Sequence, residues 1–191
     1  MTVGIVIVAA GLGTRFRQQS GNPRANKLMA GCAVVGELVL PVFTHALRHA
    51  LQASDNVMVV TRPDYYEIQR QSERSGCRCI YLDSAGLGES IAAGVQNTPD
   101  WQGWLIALAD MPFVPPDLHR VVIAAMTDLP ACAHGATPLP PAAFPAAWFP
   151  RLQMLTGDRG AGALLRGLPP AQYIAAPEHA LRDIDHPSDL T

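Results

Sequence analysis

The residues best suited to chemistry lie in segments far apart in the chain. The first is AAGLGTR, residues 9–15, followed at a distance by Lys27. Glycines at 11 and 13 let the backbone turn tightly and approach a ligand, so that amide N–H groups can point at phosphate oxygens. Arg15 and Lys27 would add positive charge where a triphosphate carries several negative ones. A strand-to-loop turn flanked by two surface cations is the other reading of the same residues. A dinucleotide cradle is disfavoured, because Phe16 stands where the third glycine of G-x-G-x-x-G belongs.

The second segment is ADMP, residues 109–112, at the end of the apolar run WLIALA. An aspartate at the carboxyl end of a buried strand opens into the crevice where open α/β sheets bind ligands, which makes Asp110 the leading single candidate. Its competing role, capping the helix after Pro115, falls better to Asp117. The third segment is DID, residues 183–185. Asp185 could meet Asp110 across the sheet and complete a Mg²⁺ site, with Asp183 as the other candidate, since Mg²⁺ is held by one or two carboxylates plus substrate phosphates. Two unit charges about 4 Å apart repel by roughly 4 kcal/mol at an effective dielectric near 20, so acids facing a triphosphate require a cation. A terminal strand bearing exposed acids is the alternative. In GLGESIAAG, residues 86–94, a glycine turn leads into a small-residue helix. Ser90 there would either meet a nucleotide's base or sugar or simply cap the helix.

These residues need a scaffold, and the pattern supplies one. Residues 3–8 (VGIVIV) read as a central parallel strand buried on both faces. Strands are expected again at 57–60, 79–82 and 104–109, with helices near 64–75, 90–96 and 116–126. Between Pro41 and Leu51 the apolar positions recur at helical spacing, which places His45, Arg48 and His49 on a solvated face. Such alternation implies right-handed βαβ units and a mostly parallel sheet. Residues 130–150, rich in Pro and Ala, read as loop with one strand around 134–137. A helix is expected across 157–167, and strands near 172–175 and 181–184.

Size and composition limit the function classes. The 191 residues suit one α/β domain, 1–191, with one active site. A hydrophobic share of 49%, a charged share of 16% and a formal net charge of −2 describe a folded enzyme, with no sign of a nucleic-acid partner. Cys32, Cys77, Cys79 and Cys132 form no disulfide framework, so reduced thiols in a cytoplasm are expected, and the C-x-C at 77–79 has no second ligand pair at zinc-site spacing. The apolar start runs directly into a glycine turn and fails as a signal peptide. No apolar run approaches the roughly 20 residues of a membrane helix.

In order, VAAGLGTRF (8–16), NKLMA (26–30), GLGESIAAGV (86–95), LADMP (108–112), LTGDRGAGALL (155–165) and DIDHPSDL (183–190) resemble the MobA-like nucleotidyltransferase family. The resemblance is strongest to its molybdenum cofactor cytidylyltransferase branch. It implies a Rossmann-like three-layer α/β/α fold of the nucleotide-diphospho-sugar transferase type. It also implies a nucleotide site at Ala9, Ala10, Gly11, Leu12, Gly13, Lys27, Asp83 and Ser90, catalysis by Lys27, Arg15 and Asp110, and Mg²⁺ on Asp110 and Asp185. AAG in the first loop goes with cytidine in such enzymes, whereas guanylyl-transferring relatives typically carry AGG, so Ala10 favours CTP over GTP. The implied acceptor is the terminal phosphate of molybdopterin, with a molybdoenzyme or its chaperone as possible partner. Same-fold transfer to a phospholactate, sugar phosphate or polyol phosphate is the rival within enzymes. A non-catalytic nucleotide-binding maturation factor is the rival outside them. Two departures touch the acceptor half: Ala143, Phe144 and Pro145 stand for the branch's G-H-P loop, and Gly162 replaces an arginine after GDxGA. The interval from Arg15 to Lys27 is long, which suggests an inserted, mobile stretch over 18–25, with Arg24 as a substitute cation.

Overall fold

The computed structural model describes residues 2–191. The β-branched run becomes β1 (Val3–Ala9). Its side chains alternate as a two-faced strand requires: Ile5, Ile7 and Ala9 enter one core, Val6 and Val8 the other. The glycine loop leads into α1 (Thr14–Ser20), then a short antiparallel pair, β2 (Gly31–Cys32) and β3 (Leu40–Pro41), and α2 (Val42–Ala53). Three strand–helix units follow: β4 (Val57–Thr61) with α3 (Tyr66–Arg74), β5 (Arg78–Tyr81) with α4 (Leu87–Gln96), and β6 (Gly103–Leu108) with α5 (Pro116–Ala125). The chain ends with β7 (Ala131–His134), β8 (Pro138–Pro145), α6 (Phe149–Leu152) and β9 (Tyr173–Ala175).

The main sheet has the order β5-β4-β1-β6-β8-β7-β9. Its first four strands are parallel neighbours, β8 is antiparallel to both β6 and β7, and β9 is parallel to β7. Phe43, Leu47, Ile68 and Val122 bring α2, α3 and α5 against one face. Ile91, Val95 and Leu152 bring α4 and α6 against the other. This is the expected three-layer α/β/α arrangement with a mostly parallel sheet. From β1 the chain crosses first to β4 on one side and later to β6 on the other, so a crevice opens beyond the carboxyl ends of β1 and β6.

The sequence reading needs correction in five places. His45 and His49 are buried, 0% and 4% exposed, and only Arg48 faces solvent. The helical period was right, but the Cys32 carbonyl and the Glu37 carboxylate come down onto the histidine side and supply polar partners. The 130–150 segment holds two strands, β7 and β8, instead of one in a loop. Its prolines cluster in the first half of β8 and at its end, while Ala142–Phe144 pair with β6, so the ladder is not starved of donors where it is central. Residues 157–167 form turns and a 3₁₀ segment (Gly162–Leu165), because Gly157 and Gly160 take left-handed φ values of 69° and 53°, which no continuous right-handed helix contains. At 181–184 there is a 3₁₀ turn (Glu178–Leu181) and extended chain, with no strand. Finally, Asp117 lies inside the first turn of α5 paired with Arg120, and Pro115 occupies the cap position.

Candidate active site

The crevice is a cleft of about 620 Å³ lined by Ala10 to Thr14, by Ser84 to Leu87 with Ser90, and by Asp110, Asp158 and Asp185. β1 delivers the glycine loop to it. Gly13 caps α1 in a left-handed conformation, φ 62°, and no side chain caps the helix, so its first N–H groups are left for a ligand. Two hydrogen bonds from neighbouring elements fix the loop's course: Thr61 Oγ1 donates to the Ala9 carbonyl at 3.0 Å and Tyr65 Oη to the Gly11 carbonyl at 2.9 Å.

The acids converge at the carboxyl end of β6. Asp110 follows β6, and the Ile184 N–H donates to the Asp110 carbonyl at 2.8 Å, which lays the DID segment against the strand end. Lys27, only 8% exposed, binds them together: Nζ donates to Asp110 Oδ2 at 2.7 Å, to the Ile184 carbonyl at 2.8 Å and to Asp185 Oδ1 at 3.4 Å. Those three bonds use all three ammonium donors. Burial alone would lower the Lys27 pKa, but the charges and hydrogen bonds of Asp110 and Asp185 outweigh it and the pKa is raised. Arg15, largely exposed, pairs with Asp185 Oδ2 at 2.7 Å. Burial pushes the Asp185 carboxyl up, yet Arg15 and Lys27 together hold it below the usual carboxylate range. Asp183 is held above that range, by desolvation first and then by the negative charges of Asp110 and Asp185. Asp110, Asp183 and Asp185 each offer an oxygen within 4.8 Å of the others. An all-carboxylate donor set beside this cleft fits a hard divalent cation such as Mg²⁺ or Mn²⁺.

The opposite wall is a pair of stapled turns. The Gly88 N–H donates to the Gly157 carbonyl at 2.7 Å, and the Gly157 N–H donates to Glu89 Oε1 at 2.9 Å. A Cβ at Gly86 would lie 2.5 Å from the Gly157 backbone, and one at Gly88 2.6 Å from that of Thr156, so only glycine permits this approach. The staple carries Asp158 to the cleft. Neither Asp158 nor Ser84 was singled out as a ligand from sequence, although the glycine spacing of GLGES and the aspartate of TGD were visible signals.

Other expected site residues sit differently. Ser90 lines the cleft, but its buried hydroxyl lies 2.8 Å from Ser84 Oγ and donates to the Gly86 carbonyl, bracing the turn instead of capping α4. Asp83 is exposed, pairs with Arg62, and is not among the cleft-lining residues. Residues 18–20 continue α1, Arg17 Nε ties back to the Ala25 carbonyl at 3.0 Å, and Arg24 is exposed away from the lining. Ala143, Phe144 and Pro145 belong to β8 inside the sheet and are buried, so the counterpart of the G-H-P loop is no loop here.

A glycine loop after β1, acids at the switch point and this sheet order define an α/β nucleotidyltransferase fold. Solved structures agree. A nucleotidyl transferase from Methanothermobacter thermautotroptrophicus (Mth528) superposes with a TM-score of 0.80 at 22% identity, covering 98% of this chain and 94% of that one. Rv0371c from Mycobacterium tuberculosis in complex with manganese gives 0.69 at 20% identity, covering 92% and 89%. A cytidylyltransferase from Leptospira borgpetersenii gives 0.69 at 12% identity, covering 99% and 83%. No curated protein sequence matches the chain. The model of the MobA-like NTP transferase domain matches residues 5–175, and the chain belongs to that family.

Proposed function

We propose that the protein transfers CMP from CTP to a phosphorylated small-molecule acceptor of the molybdopterin type and releases pyrophosphate, with Mg²⁺ as its cation. The observation that carries this reading is the meeting of Asp110 and Asp185 on one lysine ammonium at the mouth of a cleft floored by a glycine loop. Ala10 in that loop, by the family pattern, selects CTP. The cytidylyltransferase among the similar folds is consistent with the choice. Among the described residues no helix is long and apolar enough to cross a membrane.

The chemistry asks little of acid–base groups. An acceptor phosphate oxygen attacks the α-phosphorus in line, the new P–O bond forms, and the bond to the β-phosphate bridging oxygen breaks. The attacking group is already anionic, so the protein's work is to bring two anions together and neutralise the charge that builds on the α-phosphate and leaving pyrophosphate. Asp110 and Asp185, with Asp183 within reach, would hold Mg²⁺, which supplies Lewis-acid charge neutralisation when bound. The 9–13 backbone cradles the phosphates, and Arg15 and Lys27 contribute the remaining positive charge. Lys27 has a second task, since its ammonium keeps the two carboxylates together before any nucleotide arrives. Ser90, through Ser84, shapes the turn beside the nucleotide.

One observation favours a second reading of the acceptor. With Ala143–Pro145 buried in β8, the branch's G-H-P loop has no exposed equivalent there, which favours a phospholactate, sugar phosphate or polyol phosphate. The test is to incubate the protein and Mg²⁺ with each nucleoside triphosphate and a panel of these acceptors and to follow pyrophosphate. CTP-dependent release with molybdopterin is the expected result. Release with GTP in preference to CTP would overturn the nucleotide assignment, and CTP binding without turnover on any acceptor would point to a silent maturation factor.

A further inference from the structure

A second polar cluster lies under the amino-terminal half of α2 and shares no residue with the cleft. His45 and His49 are one helical turn apart on the same side of α2, and Glu37 reaches both from the loop between β2 and β3. His45 Nδ1 is 3.0 Å from Glu37 Oε2, and His49 Nε2 is 2.6 Å from Glu37 Oε1. The remaining nitrogen of His45, Nε2, is 3.0 Å from the Cys32 carbonyl.

Counting protons exposes a deficit. A carbonyl only accepts, so His45 Nε2 must carry its hydrogen. Glu37 also only accepts. With Nε2 carrying the hydrogen, the Nδ1 lone pair of His45, in a side chain with 0% exposure, faces a Glu37 carboxylate oxygen 3.0 Å away. Among the described residues the only ion-pair partners of Glu37 are these two histidines. The cluster therefore lacks a positive charge between the lone pair and the carboxylate.

We propose that this charge is a divalent transition-metal ion of the Zn²⁺ class, bound by Nδ1 of His45, Nε2 of His49 and a carboxylate oxygen of Glu37. The candidate ligand atoms already lie within 4.8 Å of one another. Two imidazoles at i and i+4 on a helix with one carboxylate form a donor set zinc accepts in tetrahedral sites. The Cys32 carbonyl fixes the His45 tautomer that leaves Nδ1 unprotonated, as an outer partner of a metal-bound histidine does. His49 and Glu37 also line a cleft of about 440 Å³ with Val34, Phe113 and Pro115, which gives the ion an entry path and room for water at a fourth position.

The test uses the full chain, stripped with a chelator and titrated with Zn²⁺ by calorimetry in excess Mg²⁺, so that the carboxylate site at Asp110 is occupied. One equivalent should bind. Glu37→Gln, a shape-conserving change at an exposed residue, and His49→Ala should each weaken binding by at least about a hundredfold. An Asp110→Asn, Asp185→Asn double variant should bind the same single equivalent unchanged. Co²⁺ in place of Zn²⁺ should give a tetrahedral visible spectrum in the wild type that Glu37→Gln abolishes, with far-UV circular dichroism confirming that the variant is folded. Absence of Zn²⁺ binding, binding indifferent to Glu37→Gln and His49→Ala, or binding lost only with the aspartates would each overturn the proposal.

Discussion

The two polar clusters of this molecule solve the same electrostatic problem in different ways. At the mouth of the sheet, Asp110 and Asp185 are drawn together by Lys27 and Arg15, so the protein carries its own counter-charge and the acids can wait for a ligand. Under α2, Glu37 meets only two imidazoles, whose charge depends on what they bind. Oxygen donors beside an open cleft suit a hard cation that arrives with its phosphates, whereas two buried imidazoles with one carboxylate suit a resident one. The proposed transfer site is thus pre-neutralised by lysine, and the proposed zinc site is the one left wanting a charge.

The largest expected effect tests the first half of that contrast. Asp110→Asn should cut CTP-dependent pyrophosphate release at least about a thousandfold, because the group lost stabilises charge that develops in the transition state. Folding and Zn²⁺ binding at the α2 cluster should be unchanged. Near-normal turnover would remove Asp110 from the catalytic centre. Lys27→Met sharpens the same point from the other side. Without its ammonium the two partly exposed acids repel, and stability in chelator should fall by about 1–2 kcal/mol, less than for a fully buried pair because Asp110 and Asp185 remain partly solvated. Mn²⁺ or Mg²⁺ should restore most of that loss, measured by urea unfolding with and without the ion.

Next in size is the wall opposite the acids. Gly88→Ala would set a methyl 2.6 Å from the Thr156 backbone, so the 156–158 turn must move and carry Asp158 out of the cleft. An ångström-scale misplacement of a positioning element costs up to about a hundredfold, and the expected loss in kcat/KM for CTP is of order tenfold to a hundredfold. An unchanged value would show that the stapled turns lie outside the nucleotide site.

What could be read in advance follows from the range of the forces involved. β1, its glycine turn and Asp110 are legible because each is announced locally, by a short apolar run that ends in glycine or aspartate. The meeting of Asp185 with Asp110 was legible only as a hypothesis. It depends on a backbone hydrogen bond from Ile184 and on the Lys27 ammonium, both long-range, and the segment is not the strand its pattern suggests. β7 and β8 were hidden because their Pro- and Ala-rich sequence has little intrinsic preference for a strand, and long-range pairing with β6 decides it. Periodicity scores histidine as polar and so puts His45 and His49 on the solvated side, while a carboxylate and a carbonyl from outside the helix make them buriable. The i, i+4 spacing of HALRH was the signal that could have raised a metal question.

A smaller effect belongs to the packing layer around the second cluster. His119 on α5 is 3% exposed, and burial, helped by the charges of His49 and Arg120, outweighs its hydrogen bond to the His49 backbone and lowers its pKa to about 4 from an unfolded value near 6.5. A histidine kept neutral by the fold lends stability that is fully present above the unfolded pKa and is lost as pH falls toward the folded one. Between pH 7 and 5 this group alone should remove about 2 kcal/mol. His119→Leu should flatten that acid limb in urea titrations at the two pH values. A slope that persists in the variant would assign the acid sensitivity to other groups.

The smallest effect isolates the brace of the glycine loop. Tyr65 is buried, and its hydroxyl donates to the Gly11 carbonyl at 2.9 Å from the far side of the β4–α3 connection. Tyr65→Phe keeps the ring and removes one neutral hydrogen bond, worth about 1 kcal/mol, or roughly a fivefold change in an equilibrium constant. The Thr61 bond to the Ala9 carbonyl remains, so the loop should loosen without collapsing. KM for CTP should therefore rise a few fold while kcat barely changes, since the phosphates are still neutralised once bound. Tyr66→Phe, at a neighbouring exposed side chain, is the control and should do nothing. Zn²⁺ affinity at the α2 cluster should be the same in both variants. If Tyr65→Phe lowered that affinity as well, the two clusters would be mechanically joined through the loop and could not be treated as independent sites.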